Sequence, residues 1–130
     1  MTNFALLITG SPYASQAHYS AQGFVEGVYE QGYTIDSVFF YGEAVNIANR
    51  FIQPPNDEKH LGISWRQLSE RFEFPLNACI SAANRRGVIS LEEQSIMQLD
   101  THSLLSPFTI VGLGSWVEAA ENAERIIQFN

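Results

Sequence analysis

The sequence predicts an α/β fold: a single domain, residues 1–130, with a five-stranded, mostly parallel sheet and helices on both faces. A chain of 130 residues has the usual size of one domain. Short apolar segments alternate with amphipathic ones along its length, and parallel strands need such helical crossovers. No internal repeat, low-complexity run or long linker divides the chain.

The N-terminal part of the chain predicts a βαβ unit. Residues 4–9 form a continuous apolar run, as expected of a strand buried on both faces. Residues 15–31 carry an apolar stripe at helical spacing, and Gly32 can end this helix. Residues 35–40 form the next strand, which should lie parallel to the first because a helix connects the two.

The middle of the chain is less regular. Residues 41–55 show no clean periodicity. A helix is expected after a cap at Asn56 or Asp57, because apolar side chains recur on one face from Leu61 to Phe72. Residues 75–80 are predicted to form the third strand.

Local caps indicate two helices after the third strand. Ser81 and Gly87 are suited to begin and end a short helix. Ser90 and Glu93 have the spacing of a capping box, which opens a helix that runs to about residue 99.

The last elements follow the same pattern. Residues 108–113 are predicted as the fourth strand and residues 125–129 as a short fifth strand. Between them, Ser115 and Glu118 have capping-box spacing, and Val117 is expected on the inward face of the helix that they begin.

Charge and cysteine content exclude several functional classes. The formal net charge of −7 argues against direct nucleic-acid binding, which requires phosphate-neutralising cations. One cysteine excludes an internal disulfide framework and fits a reducing compartment. The N-terminal apolar run is too short for a signal peptide, and no segment approaches the ~20 apolar residues of a membrane helix. A soluble, cytoplasmic protein without membrane contact is expected.

Cys79 is the main candidate for chemistry. It lies near the end of the predicted third strand, at the edge where parallel α/β sheets form their sites. The following helix would present unpaired N–H groups and a positive dipole end to the sulfur, a setting that favours the reactive thiolate. The residues expected to support this sulfur, as a thiolate or a persulfide, are Ile80, Ser81, Ala82, Tyr13 and Arg85.

Less reactive interpretations of the same residues stay open. Free cysteine is also common as a small buried side chain. The cations of Arg85 and Arg86 suit a helix C-terminus whether or not a ligand binds. Tyr41, Phe51 and Ile52 lie outside clean periodicity and belong either to the core or to a subunit interface.

Other site motifs are weak. The sequence Gly112-Leu113-Gly114 lacks the third glycine of a dinucleotide-binding loop, so a structural turn is favoured over a nucleotide module. The histidines, His18, His60 and His102, lack metal-ligand spacing and are expected at the surface or in caps. Nothing in the sequence pairs one of them with the cysteine as a hydrolase dyad. Neither a metal nor an organic cofactor is expected.

An ordered set of short motifs resembles the DsrE family, and within it the TusD-like branch. The set covers nearly the whole chain and includes the cysteine position. Its members are residues 9–13, residues 37–41, Ala48-Asn49, Asp57-Glu58, Trp65 with Gln67-Leu68, Leu76-Asn77-Ala78-Cys79, Ala82-Ala83, residues 85–88, residues 112–114 and Gln128-Phe129.

The resemblance implies a DsrE-like fold with flavodoxin-like layering and a role as a sulfurtransferase subunit. Members of the TusD-like branch receive sulfur from an upstream carrier protein as a cysteine persulfide and pass it to a downstream protein, toward 2-thiouridine at the tRNA wobble position. The family cysteine maps onto Cys79. The implied partners are TusB-like and TusC-like subunits in a heterohexamer. The alternatives are a DsrE-type subunit of a sulfur-oxidation complex and a noncatalytic scaffold subunit.

Overall fold

The computed structural model describes residues 2–130. Its strands are β1 (Asn3–Ile8), β2 (Thr34–Phe40), β3 (Leu76–Cys79), β4 (Thr109–Val111) and β5 (Arg125–Phe129). They form one sheet in the order β4-β3-β2-β1-β5, and every neighbouring pair is parallel. The predicted α/β class and parallel sheet are therefore confirmed.

The helices connect these strands in the alternation that the sequence predicts. They are α1 (Ala17–Glu30), α2 (Leu61–Phe72), α3 (Ile80–Arg85), α4 (Leu91–Ile96) and α5 (Leu113–Asn122). A 3-10 helix, Gly42–Ala48, follows β2 within the segment that showed no clear periodicity.

Helices pack on both faces of the sheet. Phe40 of β2 lies 5.4 Å, centroid to centroid, from Trp65 of α2, whereas the adjacent Phe39 lies 5.8 Å from Trp116 of α5. Since successive strand residues point to opposite faces, α2 and α5 lie on opposite sides of the sheet. Phe129 of β5 and Phe40 of β2 both pair with Ile8 of β1, so their side chains are on the same face of the sheet. Phe24 of α1 contacts Phe129, and α1 therefore lies on the same side as α2.

The strand order explains why α5 is on the other face. The chain moves stepwise from β1 to β4 and then crosses back to β5 beside β1. A right-handed connection in this reversed direction places its helix on the opposite side. The layering is flavodoxin-like, but this order differs from the 2-1-3-4-5 order of flavodoxin.

Several predicted helix starts are wrong. Helix α2 is capped by the His60 side chain, which accepts from the Ile63 N–H at 3.2 Å, and not by Asn56 or Asp57. Helix α3 begins directly after Cys79, so Ser81 lies inside the helix. The Ser90/Glu93 capping box of α4 is confirmed, although α4 ends at Ile96.

Helix α5 also begins earlier than its expected capping box. Gly112 is the N-cap residue in an extended conformation, which lets the helix start directly after β4. Ser115 is consequently within the first turn, and its N–H donates to the Gly112 carbonyl at 3.1 Å. Val117 is exposed rather than inward, because Trp116 is the side chain that packs on the sheet.

Candidate functional site

Cys79 occupies the carboxyl edge of the sheet. It is the last residue of β3 and the N-cap residue of α3, and its backbone is extended. It pairs with Val111 of β4, and the preceding Ala78 pairs with Phe40 of β2. Because parallel strands end at the same edge, Cys79 lies between Tyr41, which follows β2, and Gly112, which joins β4 to α5.

The Cys79 side chain is almost fully enclosed. Its residue is 1% exposed, and its sulfur lies 3.5 Å from the Ser81 hydroxyl oxygen. An S–S bond on another protein cannot approach a sulfur that is buried in this way. Any exchange reaction at Cys79 therefore requires a local opening of the structure around the start of α3.

The residues that follow Cys79 differ in their accessibility. Ile80 and Ser81 are exposed, whereas Ala82 is buried. Arg85 is exposed at the end of α3. Thus Ile80 and Ser81 form the accessible surface beside the sulfur.

Arg86, rather than Arg85, makes the contacts that fix the end of α3. Its guanidinium donates to Glu43 Oε1 through Nε at 3.1 Å and Nη2 at 2.9 Å, and to the Ala82 carbonyl at 3.0 Å. Hydrogen bonding and charge attraction from Arg86 hold the pKa of Glu43 below its ordinary value. The pair connects the 3-10 helix after β2 with α3, a long-range contact that local sequence patterns do not reveal.

The Tyr13 side chain connects the segment after β1 to the start of α2. Its hydroxyl donates to the Lys59 carbonyl and accepts from the Leu61 N–H, both at 2.9 Å. Burial is the main cause that raises the pKa of this phenol. Tyr13 also has a positive φ of 66° and follows β1, which β2 separates from β3. Strand β1, which Tyr13 follows, is therefore about 10 Å from strand β3, which ends at Cys79.

His18 is not at the surface, contrary to the sequence-based prediction. It is fully buried, its Nδ1 accepts from the Trp65 indole N–H at 3.0 Å, and its Nε2 lies 2.9 Å from the Gly10 carbonyl oxygen. Because Nδ1 accepts, the ring proton must be on Nε2, which donates to Gly10. Burial lowers the pKa of His18 to about 4, so the imidazole is neutral at pH 7.

Apolar side chains are exposed around the buried cysteine. Tyr41, Ile80 and Leu113 lie at or just beyond the ends of the neighbouring strands β2, β3 and β4, and each is exposed. Phe51 is exposed and Ile52 is half-buried. This distribution favours the interface interpretation of Tyr41 and Phe51 over a core position.

Residues 2–130 contain neither a metal-binding cluster nor a helix that could span a membrane. Within that range, no group of histidine, cysteine, aspartate or glutamate side chains is arranged to hold a metal ion. No helix of the described chain is both long enough and apolar enough to cross a membrane.

A solved structure with the same fold is the YchN protein from E. coli. It covers 99% of this chain and 100% of its own chain, with a TM-score of 0.79 and 18% sequence identity. At this identity the comparison bears on the fold alone.

Curated relatives give more specific information. A TusD homologue named as a sulfurtransferase in Vibrio vulnificus is 40% identical over 97% of this chain and 96% of its own length. The corresponding protein of Aliivibrio fischeri is 41% identical, and a DsrE protein of Allochromatium vinosum, provisionally named a sulfurtransferase, is 40% identical, each over 97% of both chains. These names support a sulfurtransferase role.

The profile of the DsrE/DsrF-like family matches residues 2–129, which is nearly the entire chain. Family match, fold and full-length relatives agree with one another. The chain therefore belongs to the DsrE family.

Proposed function

We propose that this protein relays sulfur as a persulfide on Cys79, within the pathway that makes 2-thiouridine at the tRNA wobble position. The observation that carries the proposal is the position of the single cysteine at the carboxyl edge of the parallel sheet, in a chain 40% identical to TusD-type sulfurtransferases. We further propose a cytoplasmic location and a heterohexamer with TusB-like and TusC-like subunits.

The reaction consists of two balanced exchanges. The Cys79 thiolate attacks the outer sulfur of a donor persulfide, the donor S–S bond breaks, and the donor leaves as a thiolate. Cys79 then carries the persulfide until an acceptor thiolate attacks its outer sulfur and restores the Cys79 thiolate. No oxidant or reductant is consumed, and no metal or organic cofactor takes part.

The lack of a second cysteine suits this task. A neighbouring thiol in the same chain would attack the persulfide and release the sulfur before the acceptor arrived. The net charge of −7 is consistent with contact between proteins rather than with tRNA binding by this chain. Donor and acceptor are accordingly an upstream sulfur-carrier protein and a downstream protein.

A reconstituted relay tests the proposal. The purified chain is loaded by a persulfidated carrier protein, and transfer to the downstream protein is followed by intact mass spectrometry with Cys79→Ser as the matched control. One extra sulfur on the Cys79 peptide, lost on reduction and passed to the acceptor, is the expected result. Relay at the normal rate by Cys79→Ser would refute the mechanism.

Burial of Cys79 favours one alternative, a noncatalytic scaffold subunit. In that case the folded protein acquires no sulfur, with or without companion subunits, although the unfolded chain does. A DsrE-type role in sulfur oxidation is the other alternative, because the Allochromatium vinosum relative is 40% identical. It predicts that companions and acceptor come from a sulfur-oxidising system rather than a tRNA-modifying one.

A further inference from the structure

Residues 91–99 bury none of their large apolar side chains in this chain. Ile96 is 82% exposed and Leu91 is 61% exposed, and Met97 and Leu99 are exposed as well. These residues, here called the apolar arm, comprise α4 and the turn that follows it. Exposed apolar side chains concentrated in one segment are typical of a surface that another molecule covers.

The apolar arm has a defined local structure. The Ser90/Glu93 capping box fixes its start, and the Leu99 N–H donates to the Gln94 carbonyl at 3.0 Å after α4 ends. The Gln94 side-chain amide donates to the Leu99 carbonyl at 3.3 Å. The apolar side chains are thus presented on an ordered backbone, which lowers the entropy cost of binding.

A cleft of about 790 Å³ adjoins the apolar arm. Its lining includes Leu91 and the two glutamates that follow it, together with Ile110 of β4 and Phe108, which directly precedes β4. Strand β4 is at the edge of the sheet, so within residues 2–130 its outer backbone edge has no strand partner. Leu91 belongs to both the apolar arm and the lining of the cleft, so the two adjoin at the start of α4.

The charge on this surface is predominantly acidic. The described lining of the cleft contains no lysine or arginine, and beside it Arg50 contributes one cation, which donates to the Thr101 hydroxyl and the His102 carbonyl. No lysine or arginine occurs between Arg86 and Arg125, whereas Glu92 and Glu93 line the cleft and Asp100 follows the apolar arm. Two copies packed arm against arm would bring like charges together, which disfavours a symmetric homodimer. An occupant that carries lysine or arginine among its apolar contacts would be complementary.

We propose that the apolar arm and its adjoining cleft are the docking surface for a different polypeptide chain, whose contact surface is apolar and cationic. This inference rests on the proposed function, because the companion subunits of the relay are the partners to which it applies. Ile80, the residue after Cys79, also lines the cleft. The bound chain would therefore contact α3 beside the buried sulfur.

The test is a binding measurement with the full-length chain and its co-expressed TusB-like and TusC-like companions. The variant Ile96→Ser/Met97→Ser should weaken binding at least about tenfold, since buried apolar anchors contribute most of the affinity of an interface. The matched control is Ile126→Ser, because Ile126 is 50% exposed on β5 at the opposite edge of the sheet. This control should bind as the wild type does.

A charge reversal gives a second, independent readout. Glu92→Lys leaves the capping box intact and should weaken binding, more strongly at low than at high salt, whereas Glu92→Gln should have a smaller effect. Hydrogen exchange should show new protection in residues 91–99 when the companions bind. Circular dichroism of each variant confirms that the fold is retained.

Three outcomes would overturn the inference. They are unchanged affinity of the folded Ile96→Ser/Met97→Ser and Glu92→Lys variants, absence of any complex with the companions, and a homodimer of the isolated chain that the arm variant abolishes. Loading of Cys79 by inorganic polysulfide, with or without companions, reports separately on the proposed function. Loading together with unaffected docking refutes only the docking surface, whereas failure to load refutes the relay.

Discussion

The buried imidazole of His18 makes the stability of this protein dependent on pH. The pKa of His18 is lowered from 6.5 to about 4, chiefly by burial, while the hydrogen bond to the Gly10 carbonyl opposes this effect. Protonation at Nδ1 would also turn the acceptor of the Trp65 N–H into a second donor facing it. The folded state therefore resists a proton that the unfolded chain accepts.

The sign and size of the effect follow from linkage. Below pH 6.5 the unfolded state binds a proton at His18, whereas the folded state does so only near pH 4. Folding stability is thus full above pH 6.5, decreases as the pH falls, and stops decreasing below about pH 4. Each pH unit in this window costs about 1.4 kcal/mol, so the total loss is about 3 kcal/mol.

Urea unfolding of wild type and His18→Gln between pH 7 and pH 4 measures this loss. Glutamine offers an acceptor and a donor but does not titrate. Since both proteins carry the same other ionisable groups, the effects of these groups cancel in the difference between the two free energies of unfolding. We expect the stability advantage of the wild type over His18→Gln to shrink by about 3 kcal/mol across this range. A difference that stays constant with pH would refute the assignment of His18 as a buried, neutral base.

Three further predictions concern backbone fit, capping and thiol access. Gly10→Ala would place a Cβ 2.5 Å from the Ala17 Cβ, so the backbone at one of the two residues must shift. This shift should lower the free energy of unfolding, measured by urea denaturation, by about 1–3 kcal/mol. An unchanged midpoint would contradict this expectation. Ser90→Ala removes the hydroxyl that accepts from the Glu93 N–H, which should cost α4 about 1 kcal/mol of stability. Amide hydrogen exchange in α4 should then be roughly fivefold faster, whereas Ser90→Thr should keep the wild-type rate. The Cys79 thiol of the isolated folded chain should react with a disulfide reagent at least about tenfold more slowly than the thiol of the urea-unfolded protein. This ratio corresponds to a free-energy cost of local opening of about 1.4 kcal/mol or more. Equal rates would disprove the burial of Cys79.

Local patterns were sufficient where neighbouring residues determine the structure. The alternation of strands and helices, the Ser90/Glu93 capping box and the bounds of β5 follow from periodicity and side-chain chemistry within a few residues. The position of Cys79 at a strand end was predictable for the same reason. The predicted cap at Ser115 failed because an extended Gly112 starts α5 earlier, an outcome that capping preference alone does not decide.

By itself, the sequence determined the α/β class, the order of elements and the placement of the lone cysteine at the carboxyl edge of a strand. Only the tertiary structure decided that Cys79 is enclosed, that His18 is buried against Trp65, and that the apolar arm is left uncovered. The physical reason is that periodicity is set by the backbone over a few residues, whereas burial depends on which distant segments pack together. The enclosure of Cys79 and the exposure of Ile96 are both outcomes of that packing.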